Sequence, residues 1–181
     1  MSPTAYRLIE LGAPWRHPEL IAQMDAIFWQ TAARTFPPGP ERDAFRERWL
    51  GRYLEGGSDV VLVVLAGGTG VVGYLVGAVA NPALEARFAD IDYFRTHFAA
   101  LMGRFPAHLH INLDAGFRSQ GIGASLIEAF AARAKRAGAA GMHAVTGKGL
   151  RNVGFYARCG FKERAAAVWN GREIVFLGRE L

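Results

Sequence analysis

The stretch Ala107–Gly138, AHLHINLDAGFRSQGIGASLIEAFAARAKRAG, decides the fold. Ala107 to Asp114 alternates: Leu109, Ile111 and Leu113 fall on one face and His108, His110, Asn112 and Asp114 on the other, as in a strand. From Ile122 the apolar residues Leu126, Ile127, Phe130 and Ala134 recur at steps of three and four. Arg133, Lys135 and Arg136 lie near the end of this run, as in an amphipathic helix. Between the two sits Arg118-Ser119-Gln120-Gly121-Ile122-Gly123-Ala124. A loop that feeds a helix start points several backbone N–H groups at one spot, where the helix dipole adds about half a positive charge. The pattern predicts an anion site with a pyrophosphate as its natural guest. Gly121 and Gly123 have no Cβ, so the guest can come close to the backbone.

Three phosphate-binding patterns compete for these residues. A dinucleotide fingerprint needs G-x-G-x-x-G, and here Gly121 and Gly123 are followed by Leu126. A P-loop needs G-x-x-x-x-G-K-[ST]; Gly141 and Gly147-Lys148-Gly149 have the wrong spacing and no hydroxyl after the lysine. The pattern [RQ]-x-x-G-x-[GA] fits in full at Arg118, Gly121 and Gly123. Here the chain resembles the GNAT (Gcn5-related N-acetyltransferase) superfamily, whose members hold the pyrophosphate of acetyl-CoA with this loop. A second segment, Asn152-Val153-Gly154-Phe155-Tyr156-Ala157-Arg158-Cys159-Gly160-Phe161, resembles the superfamily's later signature and follows at the usual distance. Asn152 and Tyr156 share a helix face four residues apart, Gly160 ends that helix, and Phe161 starts a strand. Softer features resemble the bacterial branch related to the acetyltransferase-like domain of O-GlcNAcases. They are the approach from Pro106 into His108-Leu109-His110-Ile111, the long insertion and two N-terminal helices.

The chain has 181 residues, one cysteine and a net charge of +5. That length suits a single domain, residues 1–181, with a sizeable core. A lone Cys159 makes no internal disulfide, which suits a reducing cytoplasm. With no run of 18 apolar residues no transmembrane helix is expected, and the N-terminus lacks a signal peptide's apolar core. The basic residues are scattered among acids, which argues against nucleic acid and for an ordinary surface that attracts an anionic cofactor.

In chain order, Tyr6 to Leu11 reads as a strand and Pro18 to Thr35 as a helix, broken by Phe36-Pro37-Pro38-Gly39-Pro40. Glu41 to Glu55 reads as a second helix, stopped by Gly56-Gly57-Ser58. Asp59 to Ala66 and Val71 to Val79 read as a hairpin around Gly67-Gly68-Thr69-Gly70, with close approach at Gly73. Residues 83–106 predict one or two helices, with Phe88, Ile91, Phe94, Phe98 and Leu101 on an apolar face. This insertion reads as a mixture of an added packing layer and a lid or wall over the acceptor site, because so many aromatics cannot all face water. After the central unit come a strand at Gly141 to Thr146, a helix at Leu150 to Cys159, a strand at Phe161 to Trp169, an Asn170-Gly171 turn and a last strand, Arg172 to Leu181. The fold class is α/β. Together with the resemblance it implies a GNAT fold: a central, mixed, mostly antiparallel sheet flanked by helices, with a helical insertion before the motif strand.

Acetyl transfer to an amine requires a held thioester, a deprotonated amine, donors for the oxyanion and a proton for the leaving thiolate. An alkylamine of pKa ~10.4 is only about 0.04 % neutral at pH 7. The resemblance implies that the backbone of Ile111 to Leu113 bonds the pantetheine like an added strand. It implies that Arg118, Ser119, Gln120, Gly121, Ile122, Gly123 and Ala124 cradle the pyrophosphate, with the Ser125 hydroxyl beside them. Tyr156 matches the position that protonates the departing thiolate. Asn152 either bonds cofactor amides or caps its helix, and no metal is assigned. There is no Glu between Ala107 and Ala124 to serve as base. His110 lies near the equivalent place, and an imidazole of pKa near 6.5 is a fair acceptor; the alternative is that His108 and His110 are bonded within the sheet. Asp114 reads as a turn former, His143 and His97 as remoter candidates for the base, Lys148 as a contact for a CoA phosphate, and Cys159 as a poor nucleophile.

These readings converge on a cytoplasmic, acetyl-CoA-dependent N-acetyltransferase working by direct transfer. Its acceptor is a small-molecule or peptide amine, with protein lysines still open. A homodimer is left open; no nucleic-acid or membrane partner is expected. The rival is a CoA-binding sensor or partner-binding module of the same fold without transferase activity, favoured by the missing Glu and opposed by the intact loop and Tyr156.

Overall fold

The computed structural model describes residues 6–12, 17–55 and 59–181. The expected helix stop at Gly56-Gly57-Ser58 and the first five residues lie outside them. The strands are β1 (Tyr6–Glu10), β2 (Asp59–Ala66), β3 (Gly70–Ala78), β4 (Ala107–Leu113), β5 (Gly141–Gly147), β6 (Lys162–Trp169) and β7 (Arg172–Glu180). The helices are α1 (Pro18–Thr31), α2 (Pro40–Arg46), α3 (Arg52–Glu55), α4 (Tyr93–Thr96), α5 (Ile122–Arg136) and α6 (Arg151–Arg158). Among the described residues the sheet has seven strands in the order β1-β2-β3-β4-β5-β7-β6. β1–β2, β5–β7 and β6–β7 pair antiparallel, and β4–β5 pairs parallel at Ala107↔Met142 and His108↔His143. This is the mixed, mostly antiparallel sheet with flanking helices that the sequence predicts.

Local chemistry accounts for the boundaries. Pro18 and Pro40 each occupy the first helical turn, where a missing N–H costs nothing. α1 stops at Thr31, four residues before the expected end, because Ala32 is already extended (φ −60°, ψ 134°). The Thr31 hydroxyl folds back on the last turn, 2.9 Å from the Ile27 carbonyl and 3.1 Å from the Phe28 carbonyl. Asn170 (φ 49°) and Gly171 (φ 74°) are both left-handed, as a tight hairpin between β6 and β7 demands.

The chain divides into two compact units, Met1–Gly77 with His110–Phe130, and Ala78–Leu109 with Ala131–Leu181. In the first, β2 and β3 are buried along nearly their whole length, in keeping with their valine-rich sequences. Met24, Ile27, Phe28, Leu50 and Tyr53 from the helices join that core. The expected single helix over 41–55 carries a π-helical stretch, Glu47–Gly51, between α2 and α3, closed by the Arg52 N–H on the Glu47 carbonyl. Arg46 and Asp25 form a two-pronged ion pair at 2.7 and 3.0 Å.

The insertion lies in the second unit. It is helical, as expected, but in short pieces: the four-residue α4 with 3-10 turns at Pro82–Leu84, Ala86–Phe88 and Ala99–Leu101. The Arg95 guanidinium supplies what helical hydrogen bonding would have supplied. It donates to the carbonyls of Ala83 (2.9 Å), Glu85 (2.8 Å) and Phe88 (3.2 Å). Phe88, Ile91, Phe94 and Phe98 are buried as their spacing suggested, and the insertion is a packing layer of this unit. Phe94 and Phe98 meet His143 and Phe176 at ring separations of 5.6 and 5.2 Å. Trp169 Nε1 donates to Asp92 (2.6 Å), fastening β6 to the insertion. Among the described residues, no helix is long and apolar enough to cross a membrane.

Gly141, at the start of β5, is enclosed by backbone. A Cβ there would lie 2.6 Å from the Arg104 carbonyl and 3.0 Å from the Arg179 carbonyl. Gly141→Ala is therefore expected to destabilise the fold by about 2–3 kcal/mol, read as a lower denaturant midpoint at unchanged m-value.

Candidate functional site

β4 ends at Leu113, and the chain turns at once. The Asp114 N–H donates to the Val72 carbonyl (3.0 Å), and the Asp114 carboxylate accepts from the Gly116 N–H (2.8 Å), the turn-forming role its sequence position suggested. A 3-10 turn over Ala115–Phe117 follows. Ser119 (φ 62°) and Gly121 (φ 83°) then adopt left-handed backbone. A Cβ at Gly121 would meet nothing within 4 Å, so conformation and not space calls for glycine here. The Ser125 N–H donates to the Gly121 carbonyl (3.0 Å) and opens α5. The N–H groups of Ile122, Gly123 and Ala124 thus belong to a first helical turn and have no partner within the helix. That turn contains no acidic side chain. Open space at Gly121, first-turn donors and no carboxylate among them make a donor set that fits a diphosphate.

The side chains predicted for this site are occupied by the loop itself. Arg118 donates through Nε and Nη2 to the Leu113 carbonyl (3.3 and 3.2 Å), pinning the loop to the strand it leaves. Gln120 donates to the Gly116 carbonyl (3.0 Å) and accepts from the Tyr6 hydroxyl. The Ser125 hydroxyl turns back on the Gly121 carbonyl (3.3 Å). Ile111 and Leu113 are half-buried on β4. A Cβ at Gly73 would lie 2.6 Å from the Leu113 side chain, the close approach expected of that glycine.

The polar face of β4 is partly covered, with His108 buried and His110 and Asn112 half-buried, and the contacts of His110 correct the picture of it as an ordinary imidazole. Its Nε2 lies 3.1 Å from the Tyr53 hydroxyl, and its ring meets Trp49 and Tyr53 edge-on at 5.1 and 5.4 Å. The two aromatic residues lie four apart, at the π-helical stretch and the turn after it. Burial, with the nearby Arg52 charge as a second cause, pushes the His110 pKa from 6.5 down to about 4. It is a neutral, weakly basic ring at pH 7. Asn112 donates to the Tyr74 hydroxyl (2.8 Å), and its carbonyl oxygen accepts from Thr31 (3.0 Å).

The remaining candidates lie in the second unit. His108 is buried beside Phe88 (4.8 Å) and His143 (5.7 Å). His143 is stacked on Phe176 (4.5 Å), with Nδ1 2.6 Å from the Phe105 carbonyl; an oxygen that can only accept places the proton on Nδ1. Both are core histidines. Tyr156 is buried on α6, and burial raises its pKa above the ordinary tyrosine value. Asn152 neither caps α6 nor stands idle: its amide exchanges hydrogen bonds with Thr146 (2.8 and 3.1 Å), tying α6 to the end of β5. Lys148 pairs with Glu173 (3.0 Å).

Sequence reasoning missed Tyr6, Trp49, Tyr53 and Tyr74. Each meets a loop or β4 residue more than thirty positions away, and no local pattern encodes such a contact.

The sequence matches the acetyltransferase (GNAT) family over residues 21–161. No curated protein matches it. Among solved structures, SsHAT is 23% identical at a TM-score of 0.67, over 98% of both chains. The ribosomal-protein-S18-alanine N-acetyltransferase of Escherichia coli is 15% identical at 0.59, over 97% of this chain and 94% of its own. A Bacillus anthracis protein solved with acetyl coenzyme A is 16% identical at 0.54, over 72% and 67%. At these identities the likeness is one of fold.

The His110 environment has a measurable consequence. Its folded pKa lies below the unfolded 6.5, so the unfolded chain takes the proton first. The stabilisation is complete above pH 6.5 and is lost as pH falls toward 4, by at most about 3 kcal/mol. Denaturant titrations at about pH 7.5 and 4.5 should show that loss, and His110→Gln should reduce it. The His110 ring resonances should not shift between about pH 7.5 and 5.5.

Proposed function

The chain belongs to the acetyltransferase (GNAT) family, whose members bind acetyl-CoA, and on that premise we propose that it moves an acetyl group to a primary amine by direct transfer. The observation that carries this reading is the loop from Arg118 to Ala124, left-handed at Ser119 and Gly121, which opens α5 with first-turn donors that have no partner within the helix. The whole chain acts as one domain in this reading, in the cytoplasm, on the branch that resembles the O-GlcNAcase-associated domain. The acceptor is a small-molecule or peptide amine.

Acetyl-CoA, when bound, supplies an acetyl group on a thioester and a leaving thiolate. The backbone N–H groups of Gly121, Ile122, Gly123 and Ala124 hold its diphosphate, with Arg118, Ser119, Gln120 and Ser125 shaping the loop around them. The backbone of Ile111 to Leu113 bonds the pantetheine, and Asn152 holds α6 in place. Tyr156, kept protonated by its raised pKa, carries the proton for the departing sulfur. His110 serves as a neutral hydrogen-bonding group on β4, and the amine loses its proton through water, because a ring of pKa about 4 is a poor base at pH 7.

The same observation on His110 favours a second reading, a CoA-binding sensor without turnover. A screen of primary amines, amino acids and peptides for CoA release separates the two: a sensor binds acetyl-CoA and releases none.

Calorimetric titration with acetyl-CoA should show binding that Gly121→Glu weakens about 100-fold or more. A carboxylate a few ångströms from a diphosphate costs about 3 kcal/mol at an intermediate dielectric. Unchanged affinity would remove the loop from the cofactor site. Tyr156→Phe should lower turnover about 100-fold while acetyl-CoA affinity stays within about twofold; turnover equal to the parent's would sink the general-acid role.

A further inference from the structure

The loop that opens α5 is tied to a residue more than a hundred positions earlier. The Tyr6 hydroxyl, at the first residue of β1, donates to the Gln120 side-chain oxygen. The Tyr6 ring meets Phe117 edge-on, with centroids 6.4 Å apart and planes at 80°. Gln120 in turn donates from Nε2 to the Gly116 carbonyl (3.0 Å). One tyrosine therefore grips the 3-10 turn through Phe117 and, through Gln120, the segment between the two left-handed residues Ser119 and Gly121.

That segment is exposed from Ser119 to Gly121, and left-handed backbone at a serine costs on the order of 1 kcal/mol. A loop of this kind needs an outside restraint to stay in one conformation. The side-chain ties at Asp114, Arg118 and Ser125 are local, each spanning five residues or fewer, and the long-range bond from the Asp114 N–H to the Val72 carbonyl holds only the start of the turn. The tie from Tyr6 fixes the middle of the loop to the sheet. The side chain of Gln120 is engaged by Tyr6 and Gly116.

We infer that Tyr6, through Gln120 and Phe117, is a positioning residue that holds the loop in its anion-binding conformation before acetyl-CoA arrives. The inference rests on the assignment of the loop in the proposed function. Ordering the loop in advance removes that cost from binding, so the clasp acts on affinity and not on the chemical step.

The test uses the full chain and acetyl-CoA as the probe. Tyr6→Phe keeps the ring on Phe117 and removes the hydroxyl; Gln120→Ala removes its partner. Each should weaken acetyl-CoA binding about three- to tenfold, the range of a single hydrogen bond. The double variant should be no weaker than the weaker single, because both changes break one link. In Tyr6→Phe, KM for acetyl-CoA should rise by the same factor at unchanged kcat and unchanged thermal midpoint. Without ligand, amide exchange at residues 116–121 should quicken. If Gly121→Glu abolishes binding while Tyr6→Phe leaves affinity and exchange at parent values, the clasp is overturned and the loop assignment stands. Additive effects of the two single changes also overturn it. If Gly121→Glu leaves binding intact, the loop assignment falls and takes the affinity role of Tyr6 with it, whatever the exchange rates show.

Discussion

His108, His110 and Asn112 leave β4 on one strand face, and each is met by groups from a different part of the chain. His108 lies among Phe88, Phe94 and His143 in the second unit. In the first unit His110 lies against Trp49 and Tyr53, and Asn112 between Thr31 and Tyr74. Polar groups on a covered strand face need partners; the Tyr53 hydroxyl supplies one to His110, and the Thr31 and Tyr74 hydroxyls supply them to Asn112. The loop and α5 start from the end of this strand, so whatever fixes β4 also fixes where the first-turn donors of α5 point.

The loop itself works by subtraction. Its charged and polar side chains are turned onto carbonyls of the loop and of β4: Arg118 onto Leu113, Gln120 onto Gly116, Ser125 onto Gly121. The left-handed turns at Ser119 and Gly121 present backbone N–H groups together with the positive end of α5. An anion held by such donors meets a field already in place, with no flexible side chain to order on binding. In the proposed function, Arg118 and Gln120 would act on the ligand through the shape they impose on the loop.

The π-helical stretch at Glu47–Gly51 has a comparable effect on His110. Trp49 and Tyr53, in and just after the wide turn, both reach the imidazole, and the burial that follows holds it neutral far below its ordinary pKa. A histidine that alternation alone presents as a half-exposed base is in the folded chain an uncharged hydrogen-bonding ring. The same burial acts on Tyr156 in the opposite chemical sense: it keeps the proton on a group whose proposed task is to give one up.

Every strand and the longer helices were legible in the sequence to within a few residues, because alternation, 3.6-residue periodicity and Pro and Gly punctuation are local properties. The loop from Arg118 to Ala124 and the start of α5 were legible for the same reason, since Arg118, Gly121 and Gly123 and the helix they open are contiguous. The insertion was legible in its buried aromatics and not in its path. Spacing shows which residues seek the core, whereas the 3-10 turns depend on Arg95 reaching three carbonyls seven to twelve residues away. The state of His110, the engagement of Asn112 and Asn152, and the grip of Tyr6 on Gln120 were decided by tertiary structure alone. Each is set by which groups folding brings within hydrogen-bonding distance, and by how much water it removes from them.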